Sequence, residues 1–385
     1  MSGAGESALQ RAVSFQPDTH CLYHYQQRNA RPTMIIERST YSRMGLLGNP
    51  SDGFGGKTLT VQVRDFAAIL RLWESPELTI RRHPRHDPFV FESLAELHRI
   101  AEEDGYYGGT RLLYAACKRF YEYCTDNGVP LREANFTIEY DTTIPRQVGL
   151  GGSSAIVVGA LQCLMQFHGL TEREIPRELQ PQLALSVEQE LGIKAGLQDR
   201  VAQVYGGLTY MDFAPEYMRE HGHGLYEKLA LDLLPELYLA YIPHSTTSSG
   251  KAHNLIHYRY DNGDPEVRGA MAQFARYADL GRAALEAGNV EEFGRLMDRN
   301  FDLRRRIYGD EVIGEGNLEM IGMARDFGLP AKFTGSGGAI TGVLSEGVDV
   351  TEVRRAFEAR GYRFVHVTPV DAESESAEQP GSTQA

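Results

Sequence analysis

A run of glycines followed by an uncharged apolar stretch constrains the fold of this chain more than any other feature. Residues 145–161 read PRQVGLGGSSAIVVGAL, with three glycines between positions 149 and 152. Glycine reaches backbone conformations that let the main chain approach an anion closely. Ser153 and Ser154 can cap the helix that follows, and its dipole places partial positive charge at the turn. The segment predicts an anion-binding turn at a helix start. A capped strand-to-helix connection without a ligand is the alternative.

A second glycine-rich segment, KFTGSGGAITGVL at residues 332–344, lies between apolar stretches near the C-terminus. Gly335, Gly337 and Gly338 cost backbone entropy in what would otherwise be a strand. A close approach of this backbone to a ligand, or to the first glycine turn, would account for them. A β-hairpin with a bulge is the alternative.

The stretch DGFGGKT at residues 52–58 resembles a phosphate-binding P-loop. Such a loop needs a glycine five positions before its Gly-Lys-Thr, because successive backbone N–H groups curl around the phosphates. That position is Ser51, and the residues after Lys57 are β-prone rather than helical. The sequence therefore predicts that this segment is not a P-loop.

Two carboxylates lie between the glycine segments. Glu188 and Asp199 are eleven positions apart, one ending a helical pattern and the other opening the next. Two such carboxylates can converge on a metal or a hydroxyl, as phosphoryl transfer requires for Mg²⁺ and for orienting the nucleophile. Solvated acidic residues at helix ends are the alternative.

Strand and helix patterns alternate along the chain, which predicts an α+β protein with two lobes. Antiparallel strands are expected at 58–73 and 78–82, a further strand at 136–145, and helices at 109–127, 153–168, 265–287 and 290–308. The polar segment 214–224, which contains two glycines, is the favoured boundary between the two lobes. The expected divisions are a disordered tail at 1–32, an N-terminal lobe at 33–215, a C-terminal lobe at 216–370 and an acidic disordered tail at 371–385.

Composition narrows the classes of function. A chain of 385 residues is long enough for two domains. A net charge of −13 argues against nucleic acid or an anionic membrane as the main partner, and no apolar run is long enough to span a membrane. The four cysteines form no CxxC pair, so neither a disulfide framework nor a zinc site is expected. We expect a protein of the reducing cytoplasm.

Three motifs, in order, resemble those of the GHMP kinases, the superfamily of galactokinase, homoserine kinase, mevalonate kinase and phosphomevalonate kinase. They are RMGLLGNPSD (43–52), PRQVGLGGSSA (145–155) and GSGGA (335–339). The resemblance covers residues from about 36 to 367. Within the superfamily, stretches such as ELGIKAGLQDRVAQVYGGL (190–208) are most similar to the glucuronokinases of plants and algae.

The resemblance implies the two-lobed GHMP kinase fold, with an N-terminal lobe like ribosomal protein S5 domain 2, a ferredoxin-like C-terminal lobe, and ATP in the cleft between them. It implies that Asp199 and Arg43 are catalytic and that Mg²⁺ is held by Glu188 and Ser154, with Ser153 as second choice. The residues that it assigns to ATP are Pro145, Gly149, Leu150, Gly151, Gly152, Ser153, Ser154, Ala155, Gly335, Ser336 and Gly337.

For the second substrate, Asp52 matches an aspartate that contacts sugar hydroxyls in the galactokinases. The other candidates are Asn49, Lys57, Arg200 and Gly338. Asn49 and the residue after it replace the Glu-His of the galactokinases, so galactose recognition is not expected. Arg200 stands where the family often has glutamine. A cation there suits a substrate with a carboxylate; pairing with Glu190 is the alternative.

The resemblance further implies transfer of the ATP γ-phosphate to the anomeric hydroxyl of D-glucuronate, giving D-glucuronate 1-phosphate for UDP-glucuronate synthesis. The expected partners are the small molecules ATP and D-glucuronate, with no nucleic acid and no membrane, in a monomer or homodimer. A kinase acting on galacturonate, arabinose, fucose or a heptose phosphate is the alternative. A non-catalytic sensor of the same fold would not need the full set of Ser154, Glu188 and Asp199.

Overall fold

Two β-sheets and their covering helices account for the part of the chain that the computed structural model describes, residues 35–104, 108–243 and 250–371. The α+β class expected from the sequence is confirmed. The strands are β1 Ile35–Leu47, β2 Lys57–Glu74, β3 Thr79–Ile80, β4 Phe136–Thr142, β5 Leu208–Asp212, β6 Leu225–Leu229, β7 Leu237–Tyr241, β8 Lys332–Phe333, β9 Ala339–Val343 and β10 Arg363–His366.

The helices agree closely with the periodic segments of the sequence. The predicted helices at 109–127, 265–287 and 290–308 each end within one residue of the observed ones. In chain order the helices are α1 Leu94–Asp104, α2 Gly109–Asp126, α3 Gly152–His168, α4 Gln180–Glu190, α5 Gln198–Tyr205, α6 Pro215–His221, α7 Gly250–Asp261, α8 Pro265–Glu286, α9 Val290–Tyr308, α10 Asp310–Ile313, α11 Glu315–Asp326 and α12 Val350–Ala359.

Strand β2 organises the larger sheet, whose order is β3-β4-β2-β5-β6, with β1 paired to β2. Ala68, Leu70 and Leu72 alternate with more exposed neighbours, so this half of β2 turns one face to the core. The stretch from Thr58 to Val63 is buried throughout, because α5 and α8 also pack against β2. Strand β3 pairs parallel to β4, so the antiparallel pairing expected at 78–82 was wrong.

Helix α3 is the buried centre of the larger lobe. It carries no charged residue before His168, and it packs against β1, β2, α2 and α4. A helix that is apolar on all sides is stable only when it is covered on all sides. Its rigid position fixes the glycine turn at its N-terminus.

The smaller sheet is antiparallel, in the order β10-β7-β9-β8. Two backbone hydrogen bonds tie the chain end to the larger sheet: Arg64 N donates to Thr368 O at 2.9 Å, and Val370 N donates to Gln62 O at 3.0 Å. The boundary predicted after residue 215 stays a prediction, although β6 beyond it still pairs with β5 in the larger sheet.

The predicted tails, residues 1–32 and 371–385, lie outside the described residues except for Asp371. None of the helices within the described ranges combines the length and the apolar character needed to cross a membrane.

Candidate active site

A cleft of about 660 Å³ opens at the N-terminus of α3. Most of the residues predicted from the sequence line it: Arg43, Asn49, Asp52, Pro145, Gly149, Leu150, Gly151, Gly152, Ser153, Glu188, Asp199, Arg200, Gly335 and Ser336. Of the other predicted residues, Ser154, Ala155, Lys57, Gly337 and Gly338 are not part of the lining. The fold therefore brings the three sequence motifs together from positions up to about 290 residues apart.

The first glycine turn uses the backbone freedom of its glycines. Gly149 and Gly151 have positive φ angles of 69° and 74°, which side-chain-bearing residues adopt at a cost. The N-cap of α3 is Gly151, and its cap position makes no side-chain hydrogen bond, so the expected serine cap was wrong. Backbone N–H groups of the first turn remain available to an anion at this helix end.

The second glycine segment packs directly on the first, as one explanation left open by the sequence required; it is also a hairpin, since β8 pairs antiparallel with β9. Thr334 Oγ1 donates to Gly149 O at 3.0 Å. A Cβ atom added to Gly335 would lie 2.4 Å from the same carbonyl oxygen. Only a residue without a side chain allows the two backbones to come this close.

Replacing Gly335 with Ala is expected to lower the free energy of unfolding by about 1–3 kcal/mol, the usual cost of forcing a side chain into a packed site. Urea denaturation followed by circular dichroism measures the change. Gly322→Ala is a matched control, because a Cβ there meets nothing within 4 Å and helix α11 should gain stability from alanine. Equal stability of the two variants would contradict a tight contact between the glycine segments.

A buried ion pair lies behind the turn. Glu188 and Arg200 are 0% and 2% exposed, and Arg200 Nε donates to Glu188 Oε2 at 2.6 Å, with Nη2 contacting the same oxygen. Arg200 Nη1 donates to Gly196 O at 2.9 Å. The alternative pairing of Arg200 with Glu190 was wrong, because Glu190 pairs with Lys118 on the surface. Each of the three guanidinium nitrogens already donates to a protein acceptor, which leaves only one N–H group each on Nη1 and Nη2 for a ligand.

The other oxygen of Glu188 faces a serine of the turn. Ser153 Oγ donates to Glu188 Oε1 at 2.7 Å, whereas Ser154 is fully buried and donates to Gly151 O at 3.0 Å. Among the described residues no group of three or more His, Cys, Asp or Glu side chains could hold a metal by itself. A hydroxyl beside one carboxylate is a suitable partial site for Mg²⁺, which commonly takes one or two protein oxygens together with substrate phosphates and water. The geometry favours Ser153 over Ser154.

Arg43 joins the turn to Asp199. Its Nε donates to Asp199 Oδ1 at 2.6 Å, and its Nη1 donates to Gly149 O at 2.6 Å. Asp199 Oδ2 accepts no hydrogen bond within the described part of the chain, and Arg200 Nη1 lies 3.8 Å from it. The arginine thus holds one carboxylate oxygen and leaves the other for a ligand hydroxyl.

Asp52 lies beside Asp199 in the same cleft. Its Oδ2 accepts a hydrogen bond of 3.4 Å from Gln198 N. Burial, and then the charge of Asp199, raise the pKa of Asp52 to about 6. A carboxyl group with a raised pKa in a cleft is typical of a functional site.

Lys57 lies away from the cleft. Its ammonium group is 3.1 Å from Asp279 Oδ1 and 3.4 Å from Asp212 Oδ2. The lysine of the DGFGGKT segment therefore has its own acidic partners, and strand β2 begins there instead of a helix. The segment is not a P-loop.

Sequence reasoning missed several residues of the lining. Four of them have large, mainly apolar side chains: Leu112, Tyr140, Ile144 and Ile156. Three others, Gln198, Lys194 and His257, are polar or basic. The apolar residues carried no signal, because a cleft-lining isoleucine and a core isoleucine give the same sequence pattern.

Comparisons with known proteins agree with this geometry. The model for the GHMP kinases N terminal domain matches residues 111–207, and that for GHMP kinases C terminal matches residues 282–363. The chain is 48% identical over 314 residues to "Probable glucuronokinase 2" of Arabidopsis thaliana, covering 81% of this chain and 85% of that protein. It is 46% identical over 319 residues to "Glucuronokinase 1" of the same plant, covering 83% and 88%.

Solved structures share the fold at low sequence identity. Lactococcus lactis galactokinase complexed with galactose superposes with a TM-score of 0.67 at 16% identity, covering 92% of this chain and 98% of that chain. Methanococcus jannaschii mevalonate kinase gives a TM-score of 0.63 at 20% identity, covering 89% and 100%.

Proposed function

Because this chain belongs to the GHMP kinase family, we propose that it transfers the γ-phosphate of ATP to the anomeric hydroxyl of D-glucuronate, giving D-glucuronate 1-phosphate and ADP. The observation that carries the substrate is the match of more than four fifths of the chain to two relatives named as glucuronokinases. The cleft supplies the parts that such a transfer needs.

The lining offers apolar and polar side chains for the two substrates. In this proposal the apolar residues Leu112, Ile144 and Ile156 take the adenine, because a flat, weakly hydrated ring gains from leaving water. Free N–H groups at the N-terminus of α3 hold the phosphates. The polar residues Asp52 and Gln198 then receive the sugar.

Catalysis in this proposal depends on position and charge. Asp199 Oδ2 accepts or orients the proton of the anomeric hydroxyl, while Arg43 fixes the carboxylate through Oδ1 and lies against the phosphate turn. A loose transition state needs little covalent help, so alignment and charge neutralisation supply most of the rate enhancement. Glu188 and Ser153 would hold Mg²⁺, which would neutralise charge on the transferring phosphate.

A sugar panel tests the proposal directly. D-Glucuronate, D-galacturonate, D-galactose, L-arabinose and L-fucose are each incubated with ATP and Mg²⁺, ADP release is measured, and ³¹P NMR locates the phosphate. We expect the highest kcat/KM for D-glucuronate and an anomeric phosphate. A higher kcat/KM for another sugar would establish the alternative substrate, and phosphate on any other carbon would reject the proposed chemistry.

The raised pKa of Asp52 gives a pH-dependent prediction. In the empty cleft this carboxyl group is protonated below pH about 6 and ionised above it, and only the ionised form accepts hydrogen bonds from sugar hydroxyls with both oxygens. We therefore expect kcat/KM for D-glucuronate to rise between pH 5 and 7, and this rise to be lost in Asp52→Asn. Any inflection from His257, which also lines the cleft, should remain in the variant. An unchanged profile would exclude Asp52 as the titrating group.

We further propose a cytoplasmic protein, as a monomer or homodimer. Cys117, Cys124 and Cys163 are unpaired, which suits a reducing compartment.

A further inference from the structure

A lysine outside the cleft lining is buried directly behind it. Lys332 is 1% exposed, and its ammonium group donates to Gly45 O at 2.7 Å, to Asn49 Oδ1 at 2.7 Å and to Phe333 O at 2.5 Å. No carboxylate of the described ranges lies within ion-pair distance of it. An ammonium group has three N–H donors and no acceptor, and each donor here meets a carbonyl oxygen.

This contact fixes the orientation of an amide that does line the cleft. Two backbone carbonyl oxygens and the side-chain oxygen of Asn49 surround the Lys332 nitrogen, so Asn49 Oδ1 faces the lysine. The NH₂ group of Asn49 faces away from it. Asn49 is 4% exposed, and its Nδ2 has no hydrogen-bond partner among the described residues. A buried donor without a partner is destabilising unless a ligand accepts from it.

The surroundings of this donor are positively charged. Arg304 is 3% exposed; its Nη1 donates to Gly335 O at 2.7 Å, and its buried Nε has no partner within the described part of the chain. Like Lys332, Arg304 contacts carbonyl oxygens rather than carboxylates. Burial, Arg304 and Arg43 lower the pKa of Lys332 well below its ordinary value. An anionic ligand oxygen would be stabilised here more than a neutral one.

Asn49 is a neighbour of residues that the proposed function assigns to the sugar. A Cβ atom built on Gly45 would be 3.0 Å from Gln198 Nε2 and 3.3 Å from Asn49 Cγ, so the two amides are neighbours. Gln198 also binds Asp52 through its backbone N–H. The unpartnered donor thus lies among the groups expected to contact a sugar.

We propose that Lys332 is a positioning residue that fixes the Asn49 amide, and that Asn49 Nδ2 donates to the carboxylate of the sugar acid, so that this pair determines selection of a uronate over a neutral sugar. The inference rests on the proposed function. It assigns carboxylate recognition to Asn49 instead of Arg200, whose three nitrogens are already paired within the protein.

The first test compares D-glucuronate with D-glucuronamide, which has the same shape and an uncharged C6 group, in wild type and Asn49→Asp. In the variant one carboxylate oxygen still accepts from Lys332, and the other repels a ligand carboxylate. We expect the kcat/KM ratio of glucuronate to glucuronamide to fall by about 10- to 100-fold, the range for a hydrogen bond to a charged group. The KM for ATP should not change. An unchanged ratio in a folded variant would overturn the inference.

The second test asks whether Lys332 acts through Asn49. Lys332→Met should lower the same ratio by about 10-fold in the wild-type background and leave it unchanged in an Asn49→Ala background, since neighbours in one network are non-additive. A purely structural lysine would instead reduce kcat/KM for both sugars equally and leave the ratio unaltered. Thermal unfolding checks each variant, and if Lys332→Met does not fold, Asn49→Asp decides alone.

The wild-type reaction distinguishes failure of the proposed function from failure of the inference about Asn49 and Lys332. If the wild type phosphorylates neither compound, the proposed function fails and the inference with it. If the wild type prefers D-glucuronate and Asn49→Asp keeps that preference, only the inference fails.

Discussion

Replacing Asp199 with Asn is expected to lower the turnover of D-glucuronate at least about 100-fold, the usual scale for losing a group that assists proton transfer. The amide can still accept from Arg43 at the position of Oδ1. It offers an uncharged group where Oδ2 would accept or orient the sugar hydroxyl. Turnover is measured as ADP release at saturating sugar and ATP. ATP affinity, measured by calorimetry, should change little, because the phosphates are assigned to the glycine turn.

Asp310→Asn is the matched control for this variant. Asp310 also pairs with an arginine, Arg305, at 2.5 Å, but on the surface and away from the cleft. Exposed pairs contribute roughly 0–1 kcal/mol, so both stability and turnover should stay near wild type. Near-normal turnover of folded Asp199→Asn would remove Asp199 from the catalytic role.

Replacing Glu188 with Gln is expected to lower the free energy of unfolding by about 3–5 kcal/mol, because the Arg200 guanidinium would stay buried without a charged partner. From sequence alone, a change in the Mg²⁺ requirement without loss of stability would be expected. The loss of stability is expected only because the structure shows Glu188 in a buried ion pair with Arg200. We also expect a higher Mg²⁺ concentration at half-maximal rate, because Glu188 is the only charged ligand of the two proposed for the metal.

The double variant Glu188→Gln/Arg200→Gln separates these two effects. It removes both charges from the interior, so stability should return to within about 2 kcal/mol of wild type, while the raised Mg²⁺ requirement should persist. Denaturant unfolding and a Mg²⁺ titration are measured on both variants. A Glu188→Gln protein as stable as wild type would show that the pair contributes little. An unaltered titration would exclude Glu188 as a metal ligand.

Much of the fold was predictable because its signals are local. The helix at 153–168 was predicted from an apolar run after a glycine turn, and the observed helix α3 spans the same residues. Positions 188 and 199 were marked by residue type and by helix ends, and both line the cleft. The direction of strand β3 was predicted wrongly. Its parallel pairing with β4 depends on the chain path between the two strands and not on its own two residues.

The hydrogen-bond partners of side chains were harder to predict than the helices and strands. Two adjacent serines in the first turn of α3 point in different directions, and only the packed helix shows that Ser153 meets Glu188 while Ser154 turns back to Gly151. In the same way, Arg200 was expected at a ligand carboxylate or at Glu190, and it pairs with Glu188. Each outcome depends on which groups the packed helices bring next to the side chain, and residue types do not specify this.

The sequence by itself determined the family, the order of the motifs and the turn that can hold an anion, since these depend on residue type and short spacing. Only the tertiary structure decided which charges are paired. Lys57 and Asp279 are 222 positions apart, and Lys332 and Asn49 are 283 apart. The physical reason is that a charged side chain takes whichever partner the packed chain brings within hydrogen-bond distance, and no local pattern encodes that distance.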